Sequence, residues 1–230
     1  MHMLAFDTCF DGCSACVAEL RDGDVRVLGA RSERFEAGHA ERLVPMIGEA
    51  MHEAAISFDS IRRIAVTIGP GTFTGTRIGI AAARALALAT GAETVGVSSL
   101  AVMAEVARRK VDARLLAVAV DARRGEVYVE VFGPPGAADA SGPALLPLDA
   151  AAQVGAPEPI VYVGSAAEAV AAIAVGAGRG AKALLPDLVP DAVALAALAA
   201  RMPASELALV PLYLRPPDAK PQAGKAIARA

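Results

Sequence analysis

The chain has no tryptophan, and aromatic residues make up only 4% of its 230 positions. Its core cannot be built around large rings, so its elements must approach one another through small side chains. Hydrophobic residues reach 55%, enough for a sizeable core and too many for a disordered chain. Charge is sparse as well: 20% of residues are charged, the net charge is −3, and no long basic tract stands out. That argues against a chain that grips nucleic acid unaided, because phosphate contacts need clustered Lys and Arg. It leaves open a complex in which another subunit carries the basic surface. The apolar runs are broken by Gly, Pro or charge before reaching the ~18 residues of a membrane span. The start, Met1-His2-Met3-Leu4-Ala5-Phe6-Asp7, lacks the positive charge and long apolar stretch of a signal peptide. A cytoplasmic location without membrane contact is expected.

Residues that carry chemistry are equally few. There are three histidines, His2, His39 and His52, and the last two are out of register for an i, i+4 metal pair. His39 reads as a surface or capping residue at a helix start. No serine sits in a nucleophile elbow. The three cysteines, Cys9, Cys13 and Cys16, have the C-x3-C-x2-C spacing that holds iron–sulfur clusters. Their surroundings oppose that reading. Residues 4–8 pattern as a buried strand, 10–12 as a turn and 14–20 as the returning strand, which puts Cys13 and Cys16 on opposite faces. A cluster would need a flexible loop that turns all three inward, and buried Cys serves equally well as a small apolar residue.

Apolar spacing predicts a third strand over 25–33, then a helix over 40–54. In that helix Leu43, Met46, Ile47, Ala50 and Met51 form one stripe. Strands follow at 64–68 and 95–97, with helices over 74–89 and from 98 or 99 to 109. A similar order then restarts. An apolar run over 115–120 ends in Asp121, a turn follows at 122–125, and a strand covers 126–132. Asp7 and Asp121 thus end equivalent strands about half the chain apart, a weak internal repeat that suits two α/β lobes. The second half is less regular. Residues 133–147 read as loops with one strand at most, with a strand at 160–163 and helices over 166–175 and 191–202. The expected division is a lobe over 1–110, a smaller lobe over 111–215, and a flexible tail over 216–230.

The most distinctive segment is Gly69-Pro70-Gly71-Thr72-Phe73-Thr74-Gly75, between a strand and a helix. Its glycines permit unusual backbone angles, Thr72 or Thr74 can cap the helix, and a helix start can receive an anion. No Lys-Ser or Lys-Thr follows the last glycine, so it is not a Walker loop, and Arg77 is the nearest cation. A tight turn for close strand–helix packing outweighs phosphate binding. In the helix that follows, Gly75, Gly79 and Ala83 recur every four residues beside Ala82 and Leu86, a spacing that lets another helix approach closely. Paired with the Met-bearing 40–54 helix, it is expected to form half of an intermolecular bundle.

Five blocks now stand in order along nearly the whole chain: Leu4-Ala5-Phe6-Asp7-Thr8 with 13–18, His39 to Pro45 (HAERLVP), Ile68 to Gly79 (IGPGTFTGTRIG), Asp121 to Tyr128 (DARRGEVY) and Pro211 to Arg215 (PLYLR). Together they resemble the TsaB family. The resemblance implies the two-lobed α/β fold of actin, Hsp70 and sugar kinases, with a reduced second lobe. It implies a non-catalytic subunit in making threonylcarbamoyladenosine next to the anticodon of tRNA. The implied partners are a TsaD-like threonylcarbamoyltransferase, a TsaE-like ATPase, tRNA through the complex, and a second copy of the chain when alone. Pairing would run through both helices: Leu43, Met46, Ile47, Ala50 and Met51 on the first, Arg77, Gly79, Ala82, Ala83 and Leu86 on the second. The loop Gly69, Pro70, Gly71, Thr72 and Gly75 is the signature, and Asp7, Thr8 and Asp121 mark a vestigial nucleotide cleft. TsaD proteins bind metal with a His-x3-His pair on the first helix. Here His39 is followed by Leu43, so no metal or other cofactor is expected. The alternative is an ATPase or phosphotransferase of the same fold using Asp7, Thr8 and Asp121.

Overall fold

The computed structural model describes residues 1–21, 24–134, 141–205 and 208–215. The segment 216–230, expected as a flexible tail, lies outside these residues. Two five-stranded sheets share one plan. The first comprises β1 (His2–Asp7), β2 (Cys13–Arg21), β3 (Asp24–Glu33), β4 (Ile61–Thr67) and β5 (Glu93–Val97), in the order β3-β2-β1-β4-β5. The second comprises β6 (Leu116–Asp121), β7 (Glu126–Phe132), β8 (Ala144–Pro147), β9 (Ile160–Val163) and β10 (Ala181–Leu184), in the order β8-β7-β6-β9-β10. In each sheet the first three strands form an antiparallel meander. The central strand then pairs in parallel with the fourth, and the fourth with the fifth. This is the duplicated unit of the two-lobed actin-like α/β fold, and Asp7 and Asp121 end equivalent central strands.

Helices fill the crossovers that parallel pairing requires. In the first lobe these are α1 (His39–Ala54) and α2 (Phe73–Thr90), followed by α3 (Ser99–Arg108). In the second they are the one-turn α4 (Leu148–Ala151) and α5 (Ala167–Gly176), followed by α6 (Ala192–Ala199). The start signals act as their chemistry dictates. The Thr72 side chain accepts from the Gly75 N–H, Ser98 from that of Ala101, and Asp191 from those of Val193 and Ala194. Residues 133–147 contribute β8, and β10 is a strand that the Ala-rich pattern around Lys182 had not marked.

Chain order does not divide the two cores cleanly. The α3 residues Leu100, Met103, Ala104 and Ala107 pack with Leu116, Val118 and Val163 of the second sheet. In exchange, Ala192, Leu195 and Ala199 of α6 pack with Met3, Ala5, Cys16 and Val95 of the first. The other face of the first sheet carries α1 and α2 on Leu4, Phe6, Val17 and Ile64. Alanine makes these approaches short. At Gly29 on β3 even a methyl group would overlap the Ala50 carbonyl oxygen of α1.

Candidate functional site

The Gly-rich junction leaves β4 and launches α2 directly over the end of β1. Gly69 has φ of +104°, a conformation that favours glycine, and the Gly69–Pro70 peptide is cis. The Thr72 N–H donates to the Cys9 carbonyl at 2.7 Å, and the Thr8 hydroxyl to the Gly75 carbonyl at 2.7 Å. A Cβ at Gly71 would overlap the Cys9 carbonyl oxygen, and one at Gly75 that of Thr8. At Gly79 it would stand 2.6 Å from the Thr8 hydroxyl oxygen. The three glycines are thus explained by contact with the β1–β2 turn, the close-packing reading of the motif. From the other side the Ser99 N–H donates to the Gly69 carbonyl at 2.9 Å, and its hydroxyl bonds the Pro70 carbonyl.

The three residues of the expected cleft are each committed to a different local bond. Asp7 is buried, and its Oδ1 accepts from the Thr67 hydroxyl and, at 3.2 Å, from the Cys9 N–H. Burial raises its pKa to about 6, with the hydrogen bond from Thr67 as the main opposing effect. Thr8 is buried and spends its hydroxyl on Gly75. Asp121 is exposed: its carboxylate accepts from the Arg123 N–H at 2.8 Å and closes the β6–β7 turn. The cavity beside Asp7, between Gly12, Glu33, Arg34 and Pro190, measures about 10 Å³, room for about one water. Asp121 does not line it.

Two further expectations are corrected or placed. His39 is not a surface residue: it is buried, its Nε2 lies 2.7 Å from the Phe10 carbonyl, and its ring meets Phe35 edge-on. It pins the β1–β2 turn to the start of α1. The cysteines are all buried thiols that diverge. Cys13 joins the α1 side of the sheet, Cys16 the α6 side, and Cys9 approaches Thr76. Burial pushes Cys13 and Cys16 up to about 12 and raises Cys9 too, so the neutral thiol prevails. Among the described residues no group of three or more His, Cys, Asp or Glu could hold a metal ion.

The helix pair itself needs the largest correction. Leu43, Met46, Ile47, Ala50 and Met51 are 0–4% exposed and face the chain's own sheet. Gly79 and Ala83 face inward too, while Ala82 and Leu86 are half-buried against the same core. A monomeric core claims the stripe that periodicity assigned to a partner, because a helix over a sheet must bury its apolar side first. What faces outward is different. On α1 it is Val44, 67% exposed, with Pro45, Gly48 and His52. On α2 it is Ala81, Ala85 and Leu88, spaced as one stripe, with Leu88 89% exposed. Most of the charge is drawn to the flanks, while Glu41 in the first turn of α1 stays exposed beside Val44 and Pro45. Arg42 bonds Glu33 at 2.8 Å and Glu49 at 2.8 Å on the flank against β3. Arg77 and Arg84, the two charged residues of α2, reach Tyr213 and the Leu209 carbonyl. The signal that could have found Val44 and Leu88 is their mismatch with the inward stripe.

One local concentration of cations was also passed over in the sequence: Arg108, Arg109, Lys110 and Arg114. They follow the end of α3, where Arg108 bonds the Gly133 carbonyl and Arg109 pairs with Glu105. Cations at a helix C-terminus complement its dipole, which accounts for Arg108 and Arg109 at the last turn of α3. Among the described residues no helix is long and apolar enough to cross a membrane.

Duplicated sheets, exchanged helices and a blocked β1–β2 turn define a two-lobed actin-like α/β protein. The family model for tRNA N6-adenosine threonylcarbamoyltransferase, TsaD, matches residues 29–173. The Escherichia coli tRNA threonylcarbamoyladenosine biosynthesis protein TsaB is 41% identical over 128 residues, 56% of this chain and 53% of that protein. A Mycobacterium tuberculosis protein, Rv3421c, is 36% identical over 96% of this chain and 95% of its own. The match therefore spans about half the length of the E. coli protein and nearly all of the mycobacterial one. Among solved structures, YeaZ from Pseudomonas aeruginosa superposes with a TM-score of 0.72 at 30% identity, covering 86% of this chain and 91% of that one. A second P. aeruginosa structure, described as similar to peptidase YEAZ, gives 0.74 at 29%, covering 93% and 99%. The chain belongs to the TsaD family and, within it, to the TsaB proteins.

Proposed function

We propose that this chain is a non-catalytic subunit that binds and stabilises a TsaD-like threonylcarbamoyltransferase in the biosynthesis of tRNA threonylcarbamoyladenosine. The observation that carries the reading is the outward face of α1 and α2, apolar around Val44, Ala81, Ala85 and Leu88 beside the exposed Glu41. Small residues there let a second helix pair approach closely, and large exposed apolar groups on a monomer mark interaction sites. The names of the relatives supply the pathway. A TsaE-like ATPase and tRNA join through that partner, and a second copy of the chain covers the face when the partner is absent. The alternative ATPase finds no support in a buried Asp7, a committed Thr8 and an Asp121 that closes its own turn.

The test is co-expression with the TsaD-type protein of the same cell. Leu88→Asp, and separately Val44→Asp, should weaken pairing at least about tenfold while leaving the melting temperature within about 2 °C, since both side chains already stand in water. Unchanged pairing in both variants would refute docking through this face. Failure of the wild-type chain to pair would refute the scaffold reading itself.

A further inference from the structure

The segment 208–215 touches three separate parts of the molecule. Leu209, 5% exposed, enters the α1–α2 core and lies against Gly96 of β5, and its carbonyl accepts from Arg84 of α2. The Leu212 N–H donates to the Ile68 carbonyl at 2.7 Å, beside the Gly-rich junction. Tyr213 stacks on Phe73 at 5.9 Å and 23°, and its hydroxyl accepts from Arg77 Nε at 2.6 Å. The Arg77 guanidinium sits 3.4 Å from the centre of the Phe73 ring, so an aromatic–arginine sandwich closes over the first turn of α2. Two residues on, Arg215 pairs with Glu126 at 2.6 Å and approaches the Arg123 carbonyl at 3.4 Å, both in the second lobe.

We propose that residues 208–215 are a strap that couples the second lobe to α2, so that the β6–β7 turn and the first turns of α2 move as one unit. Two features make this more than a passing segment. Both charged side chains of α2 are committed to it, at positions two turns apart, which fixes the rotation of the helix about its axis as well as its position. The other end holds the second lobe through a charge pair that is partly shielded, Arg215 at 22% and Glu126 at 36% side-chain exposure, where an ion pair counts for more than on an open surface. The coupling is intrinsic to the chain and does not depend on what docks on α2.

Amide hydrogen exchange of the full-length chain, without any partner, tests it. Tyr213→Ala should speed exchange in the first turns of α2, about 73–81, at least about tenfold, because the sandwich no longer holds the helix start. Arg215→Ala should speed exchange both there and in the 122–126 turn, although the bonds of the Arg215 side chain run to Arg123 and Glu126 of the second lobe, while β1 and β9 stay as protected as in the parent. The double variant Arg215→Glu with Glu126→Arg should restore protection in both segments. If Arg215→Ala leaves α2 exchange unchanged, or if the exchanged charge pair fails to restore it, the strap is refuted. Global acceleration that includes β1 and β9 would equally refute it, as simple destabilisation.

Discussion

The two lobes repeat one topology and put it to opposite uses at the same place. At the end of β1 the turn is closed from above by Gly71, Gly75 and Gly79, and Asp7 is sealed beneath with a raised pKa. At the end of β6 the turn lies open: Asp121 is exposed, and a Cβ at Gly125 would meet nothing within 4 Å. The crossovers differ in the same sense, a one-turn α4 and a ten-residue α5 against the 16 and 18 residues of α1 and α2. The first lobe has closed its turn and grown an outer helix pair. The second has kept a short, open turn that serves as a fastening point for Arg215. Duplicated topology therefore says where a site stands, and the residues that fill it decide whether it stays a cleft.

The sharpest way to break that comparison is to add one methyl group at each turn. Gly75→Ala drives a Cβ into the Thr8 carbonyl, and backbone cannot yield as a side chain does, so about 3 kcal/mol or more of stability should be lost. Gly125→Ala has open space but a φ of +74°, and its loss should stay near 1 kcal/mol. Denaturant melts of the two variants read the difference directly, and equal losses would end the claim that only the first turn is sealed. A second pair separates the two sides of α1. Leu43→Ala empties a buried site and should cost about 3 kcal/mol, whereas neighbouring Val44→Ala should change stability by less than about 0.5 kcal/mol.

A last prediction concerns Asp7. The folded pKa of Asp7, about 6, lies above its ordinary value of 3.8, so the folded state binds the proton more tightly than the unfolded chain. Its contribution is fully present below the unfolded value and is lost as pH rises from about 4 through 6. That loss amounts to about 2 kcal/mol. Stability measured against pH should therefore fall less steeply across that window in Asp7→Asn than in the parent chain. Parallel curves for the parent and Asp7→Asn would show that the first turn is wetter than its packing implies.

Much of the fold was legible because local chemistry and periodicity agreed. The 3.6-residue stripe of α1, the caps Thr72, Ser98 and Asp191, and the restart after Asp121 all carry their signal within a few residues. What failed were the inferences about which neighbour the helix stripes meet. Leu43 and Met51 have the pattern of an interface and of a core alike, and only the position of β2 and β3 behind them chose the core. Gly75 and Gly79 were read as room for a partner's helix, when the crowding comes from Thr8, nearly seventy residues earlier in the chain. Nothing near Arg215 in sequence points to Glu126, nor anything near Tyr213 to Phe73 and Arg77. Sequence by itself settled most element types, the duplicated plan and the family, since these rest on spacing and motif. Tertiary structure alone decided which face of α1 and α2 is free, because burial is a contest among distant segments for the same apolar surface, and the chain's own sheet won it.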